Sequence, residues 1–118
     1  MGDLANDVDP DVLRRLHRDI GSDAALTTDL VDTYRLRSVE LVATLVEACA
    51  ANDAERVRTL AHDLKSTSAM VGAERLRSLA VSIERCGDEC AEVRSDVATV
   101  ERTLHHSLDV LRDLANSL

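Results

Sequence analysis

Apolar residues recur along this chain at steps of three and four, the spacing that lays one stripe along an α-helix. Five stretches carry the pattern. Asp9-Pro10 opens the first, with aspartate as N-cap and proline at the first helical position; Val12, Leu13, Leu16 and Ile20 follow, and Gly21 ends it. Ser22 or Asp23 then caps a long second helix reaching about Ala51, with Leu26, Leu30, Tyr34, Leu41, Leu45 and Ala48 as its expected core positions. Asn52-Asp53 breaks that helix and caps a third, whose inward residues are Val57, Leu60, Ala61, Leu64, Ser68 and Val71, with Gly72 as its stop. Ala73 opens a fourth helix striped by Leu76, Leu79, Ala80 and Ile83 and closed by Gly87-Asp88. The fifth runs from about Cys90 to the C-terminus on Val93, Val97, Val100, Leu104, Leu108, Leu111, Leu114 and Leu118.

Connections of about two to four residues force successive helices to lie antiparallel. The expected fold is therefore all-α: an up-and-down antiparallel four-helix bundle with an additional short N-terminal helix. Residues 1–8 are expected to form a flexible leader, and 9–118 a single domain.

Composition supports this and narrows the function. The chain has 118 residues, one Pro, four Gly, no Trp or Phe and a single Tyr, which suits helices packed through aliphatic side chains and argues against a sheet. Tyr34 is expected to fill the core. A net charge of −8 leaves no surplus of cations to displace counterions from a nucleic acid. The charge is uneven, however. From Glu55 to Arg77, Arg56, Arg58, Lys65, Arg75 and Arg77 stand against Glu55, Asp63 and Glu74, so five minus three gives +2 and the remainder carries −10. Such a segment suits a small anionic group better than a polyanion. No secretory segment opens the chain and no apolar run would span a bilayer, so a reducing cytoplasmic setting without membrane contact is expected. Cys49, Cys86 and Cys90 are expected to be buried thiols. One apolar stripe per helix leaves no spare face, so a monomer is expected.

The candidate chemistry lies on the polar face of the third helix, where Arg58, His62, Lys65, Ser66 and Ala69 fall together. There His62 faces solvent between a cation and small side chains that admit another surface. An unperturbed imidazole with a pKa near 6.5 is largely neutral at cellular pH, and so a nucleophile able to take a phosphoryl group. Ala61 to Leu76 reads A-H-D-L-K-S-T-S-A-M-V-G-A-E-R-L. This resembles the histidine-containing phosphotransfer (HPt) domains of bacterial phosphorelays, whose pattern is roughly A-H-x-L-K-G-[SA]-[SA]-x-x-[LIV]-G-A-x-x-L. The likeness extends from about Leu30 to Glu84, taking in Leu45 to Ala48, Asn52-Asp53, Leu79 and Ile83-Glu84. Ser66 replaces the usual glycine after the lysine, and Thr67 a serine or alanine.

The resemblance implies a phosphoryl carrier rather than an enzyme. Nε2 of His62 would attack the phosphoaspartate of a response-regulator receiver domain, and Lys65, one turn on, would meet phosphoryl oxygens. Ser66 and Ala69 would leave room for the partner and Arg58 would help orient it. The receiver would supply Mg²⁺ and most transition-state stabilisation, so the chain itself needs no cofactor and no metal site. A hybrid histidine kinase is a further implied partner. Three alternatives stay open on sequence alone. His62-Asp63-Leu64-Lys65-Ser66-Thr67 is similar to the phosphoacceptor box of a sensor histidine kinase, although Thr67 stands where that box has Pro and no nucleotide-binding segment follows. A helical adaptor without chemistry is the second. The third is a metal-binding bundle, for which Glu101, His105 and Asp109 share a helix face.

Overall fold

The computed structural model describes residues 7–86 and 90–118. Five helices and no strand occur among them: α1 (Pro10–Asp19), α2 (Ala24–Ala50), α3 (Ala54–Val71), α4 (Glu74–Cys86) and α5 (Cys90–Asn116). Local chemistry sets their ends. Oδ1 of Asp9, Asp23 and Asp53 accepts from the backbone N–H of Asp11 (3.0 Å), Ala25 (3.0 Å) and Arg56 (3.2 Å), supplying three helix starts with an acceptor. Asp23 rather than Ser22 is thus the cap of α2. Gly72 leaves α3 in the left-handed conformation at φ 82°. The expected stop of α4 at Gly87-Asp88 lies outside the described residues.

Helix α2 packs on α3, α3 on α4, α4 on α5 and α5 back on α2, closing a ring whose interior is the core; α1 lies against α3, α2 and α5. Leu13, Leu45, Leu64, Leu76, Ile83 and Leu111 are its largest fully buried aliphatic side chains. Burying each stabilises the fold by about 1.5–3 kcal/mol.

The structure corrects the phase expected for α2. Tyr34, Leu45 and Ala48 are buried, but Leu26 is 49 % exposed and Leu30 and Leu41 are only partly covered. Thr27, Val31, Ser38 and Val42 turn inward instead. Two of these are polar and tolerated because they are bonded. Thr27 Oγ1 donates to the Asp23 carbonyl (3.1 Å) and meets His17 Nδ1, while Ser38 Oγ donates to the Arg35 carbonyl (3.2 Å). Counting aliphatic residues alone misses a stripe that runs through hydroxyls. In α5, likewise, Thr103, Ser107 and Ala115 are buried while Leu108 and Leu114, and Leu118 just past the helix end, are only partly so. Cys49 is buried as expected, whereas Cys86 is partly exposed.

Of the expected leader, residues 1–6 lie outside the described residues, and Asp7 and Val8 are buried. Asp7 O accepts from Arg75 N (3.1 Å), and Asp9 N donates to Gly72 O (2.8 Å), so this segment straps the α3–α4 turn. The Asp7 carboxylate lies 3.8 Å from Arg75 Nε and 4.0 Å from His106 Nε2.

Candidate functional site

Val57, Ala61, Leu64, Ser68 and Val71 bury one face of α3, which turns His62 outward with its side chain 58 % exposed. Ser66 and Ala69 are exposed beside it; Arg58, one turn earlier, is partly covered, as is Lys65. Composition of the helix alone accounts for this face, because every residue on it is polar or small.

The two-residue connection between α3 and α4 brings Glu84 against that face, an encounter the linear sequence does not show. Glu84 Oε2 lies 3.0 Å from His62 Nδ1, and Oε1 accepts from Lys65 Nζ at 2.8 Å. The Lys65 hydrogen bond first, and the His62 hydrogen bond second, hold the Glu84 carboxyl below its ordinary value of 4.5. An ionised carboxylate only accepts, so the proton of the contact belongs to Nδ1. The lone pair of a neutral His62 therefore sits on Nε2, the nitrogen turned away from Glu84. His62 takes its partner from α4 and not from its sequence neighbour Asp63. Sequence reasoning placed Glu84 within the resemblance without assigning it to the site. The available signal was its position in the last turn of the adjoining helix, opposite His62 in a tight hairpin.

Beneath this face Tyr34 Oη and Ser68 Oγ meet at 2.9 Å, a buried bridge between α2 and α3. Burial, only partly offset by Ser68, pushes the Tyr34 hydroxyl up to about 12. Thr67 sits within α3 with its hydroxyl satisfied locally, donating to the Asp63 carbonyl at 2.9 Å. Beside it an apolar groove of about 350 Å³ runs between α2 and α3, lined by Leu16, Leu30, Tyr34, Arg37 and Met70 among others.

Among the described residues no group of three or more His, Cys, Asp and Glu side chains is placed to hold a metal ion, and Glu101, His105 and Asp109 form no such group. No described helix is long and apolar enough to cross a membrane.

No curated protein matches the chain in sequence. The crystal structure of histidine-containing phosphotransfer protein B (HptB) from Pseudomonas aeruginosa PAO1 superposes with a TM-score of 0.86 at 25 % identity, over 97 % of this chain and 98 % of that one. The model of the Hpt domain matches residues 29–114, which span α2 from its second turn, all of α3 and α4, and α5 almost to its end. With the motif, the helical ring and a family model covering most of the chain in accord, this protein belongs to the Hpt domain family and is a histidine phosphotransfer domain of the phosphorelay type.

Proposed function

We propose that this protein carries a phosphoryl group on Nε2 of His62 and exchanges it with the aspartate of response-regulator receiver domains, a hybrid histidine kinase being a further partner. The observation that carries the reading is the Nδ1 contact with Glu84, which leaves Nε2 as the free nitrogen of an exposed ring. The Nε2 lone pair attacks phosphorus, the N–P bond forms, and the acyl-phosphate P–O bond breaks with its electron pair returning to the aspartate carboxylate. No proton has to move. The ring becomes a cation still carrying Nδ1–H, and the Glu84 carboxylate offsets that charge from the side opposite the phosphoryl group. Return of the group to an aspartate runs the same steps backwards.

Lys65, poised on Glu84, turns its ammonium to the phosphoryl oxygens once they arrive. Ser66 and Ala69 leave space for the approaching domain, and Arg58 helps orient it. Mg²⁺ bound by the receiver offsets phosphoryl charge, so this chain acts as a carrier and not as an enzyme. The packing order of the long helices supports an up-and-down antiparallel four-helix arrangement around this site.

The test is transfer from a phosphorylated receiver domain with Mg²⁺ to wild type and to His62→Gln. Acid-labile, base-stable label on wild type and none on the variant is expected. Label that persists on His62→Gln, or a folded wild type that accepts none from several unrelated receivers, overturns the proposal.

A further inference from the structure

Helix α2 carries a second apolar line that its own bundle covers only in part, at Val46. Leu36, Val39, Ala43, Val46 and Ala50 follow steps of three, four, three and four, the spacing of a helix-pairing seam. Leu36 is 60 % and Val39 45 % exposed, Ala43 and Ala50 are exposed, and only Val46 is partly covered. At about 1.5 Å per residue the line is roughly 20 Å long. This overturns the expectation of a single apolar stripe per helix. A helix apolar on two sides is built to be covered on both.

The line faces away from the phosphotransfer site. The flank of α2 bearing Leu30, Thr33 and Arg37 is the one that meets Thr67 and Met70 of α3. Residues 36, 39, 43, 46 and 50 fall on the opposite flank at 100° per residue. A partner seated there leaves His62 open to a receiver domain.

Charge selects the occupant. On α2 itself, Asp29 and Asp32 prolong the line one heptad towards the helix start, Glu40 and Glu47 border it, and Arg35 is the cation this helix sets beside it; all five are exposed. Four carboxylates against one guanidinium make a local charge of −3. A second copy fits poorly. Parallel pairing would set Asp29 and Asp32 against their own counterparts, and antiparallel pairing about Ala43 would bring Glu40 onto Glu47. A helix with its own apolar line and lysine or arginine flanks meets no such repulsion, and Ala43 and Ala50 leave hollows for its larger side chains. We propose that this face of α2 docks a basic amphipathic helix of a partner protein, at a surface separate from the one that meets the receiver domain.

The probe is a fluorescent three-heptad peptide with leucine at the seam positions and lysine at the flanking ones, titrated with the intact protein and followed by anisotropy. Saturable one-to-one binding that weakens with salt is expected. A Leu36→Glu, Val39→Glu double variant is expected to bind about tenfold or more weakly. Both positions are exposed, so the variant should fold, and unchanged helicity by circular dichroism checks that. His62→Gln should bind the peptide like wild type, while the double variant should still take phosphate, so the docking and phosphotransfer readings fail separately. Equal affinity for a peptide of the same composition with shuffled positions, no effect of the double variant, or no saturable binding overturns the proposal. So does a dimer in sedimentation equilibrium that the double variant abolishes, which would make the occupant a second copy.

Discussion

Replacing Gly72 with alanine separates two costs that a turn glycine usually confounds. Gly72 and Gly21 both sit at positive φ, +82° and +92°, where an L side chain is strained by about 1–2 kcal/mol. Their surroundings differ. A Cβ at Gly21 would meet nothing within 4 Å, whereas one at Gly72 would come within 2.6 Å of the Asp9 carbonyl oxygen and 2.9 Å of Val12 Cβ. Neither obstacle can be trimmed, since one is backbone and every residue but glycine has the other. Overpacking of this kind costs about 1–3 kcal/mol more. Gly21→Ala should therefore cost about 1–2 kcal/mol and Gly72→Ala about 2–5 kcal/mol. With an unfolding entropy near 2.1 cal/mol/K per residue, a chain of this length shifts by roughly 4 °C per kcal/mol. The thermal midpoint should fall by about 4–8 °C for Gly21→Ala and about 8–20 °C for Gly72→Ala, followed by circular dichroism at 222 nm. Equal shifts for the two variants would show that the strap of Asp7 to Asp9 moves aside without cost, and would refute the argument. Phosphoryl acceptance well below the midpoint should persist in both. His62 lies ten residues, about 15 Å of helix, from the turn.

Lys65→Ala should still be labelled at His62 but more slowly, because it removes charge compensation and not the nucleophile; complete loss of label would make Lys65 essential to the reaction or to the fold. Glu84→Gln should slow transfer roughly tenfold, by analogy with the low end of the loss on removing the hydrogen-bond partner of a metal-bound imidazole, and unchanged rates in both directions would remove Glu84 from the site. The same variant tests acid stability. The Glu84 carboxyl is held below 4.5, so its stabilisation is present above that value and is lost as pH falls through the lowered one; wild type and variant should converge over that interval. At the alkaline end, the Tyr34 hydroxyl pushed up from 10.0 to about 12 stays neutral in the folded state while the unfolded chain ionises. Wild type should therefore lose about 2–3 kcal/mol relative to Tyr34→Phe between pH 10 and 12. Parallel denaturation curves there would contradict the burial of that hydroxyl.

Legibility differed among elements for identifiable reasons. Helix α3 announced both its faces, because its buried residues are apolar or small and its outward ones polar, and short-range periodicity captures that split. Helix starts were equally plain, since Asp9 and Asp53 act on backbone groups within three residues of themselves. Helix α2 misled by phase. Its stripe passes through Thr27 and Ser38, while Leu26, Leu36 and Val39 face outward, so hydrophobicity alone points to more than one face. The buried segment Asp7-Val8 was equally hidden, as Arg75, the partner of Asp7, and Gly72, the partner of the adjoining Asp9, lie more than sixty residues away.

The amino-acid order by itself determined that the chain is helical, where the helices begin, and that His62 stands outward with Lys65 one turn on. Each of these depends on interactions within a few residues, which spacing and residue type express directly. Only the tertiary structure decided which nitrogen of His62 is free and where the Lys65 charge rests. Both follow from Glu84, and a carboxylate twenty-two residues away reaches an imidazole only when the α3–α4 hairpin closes.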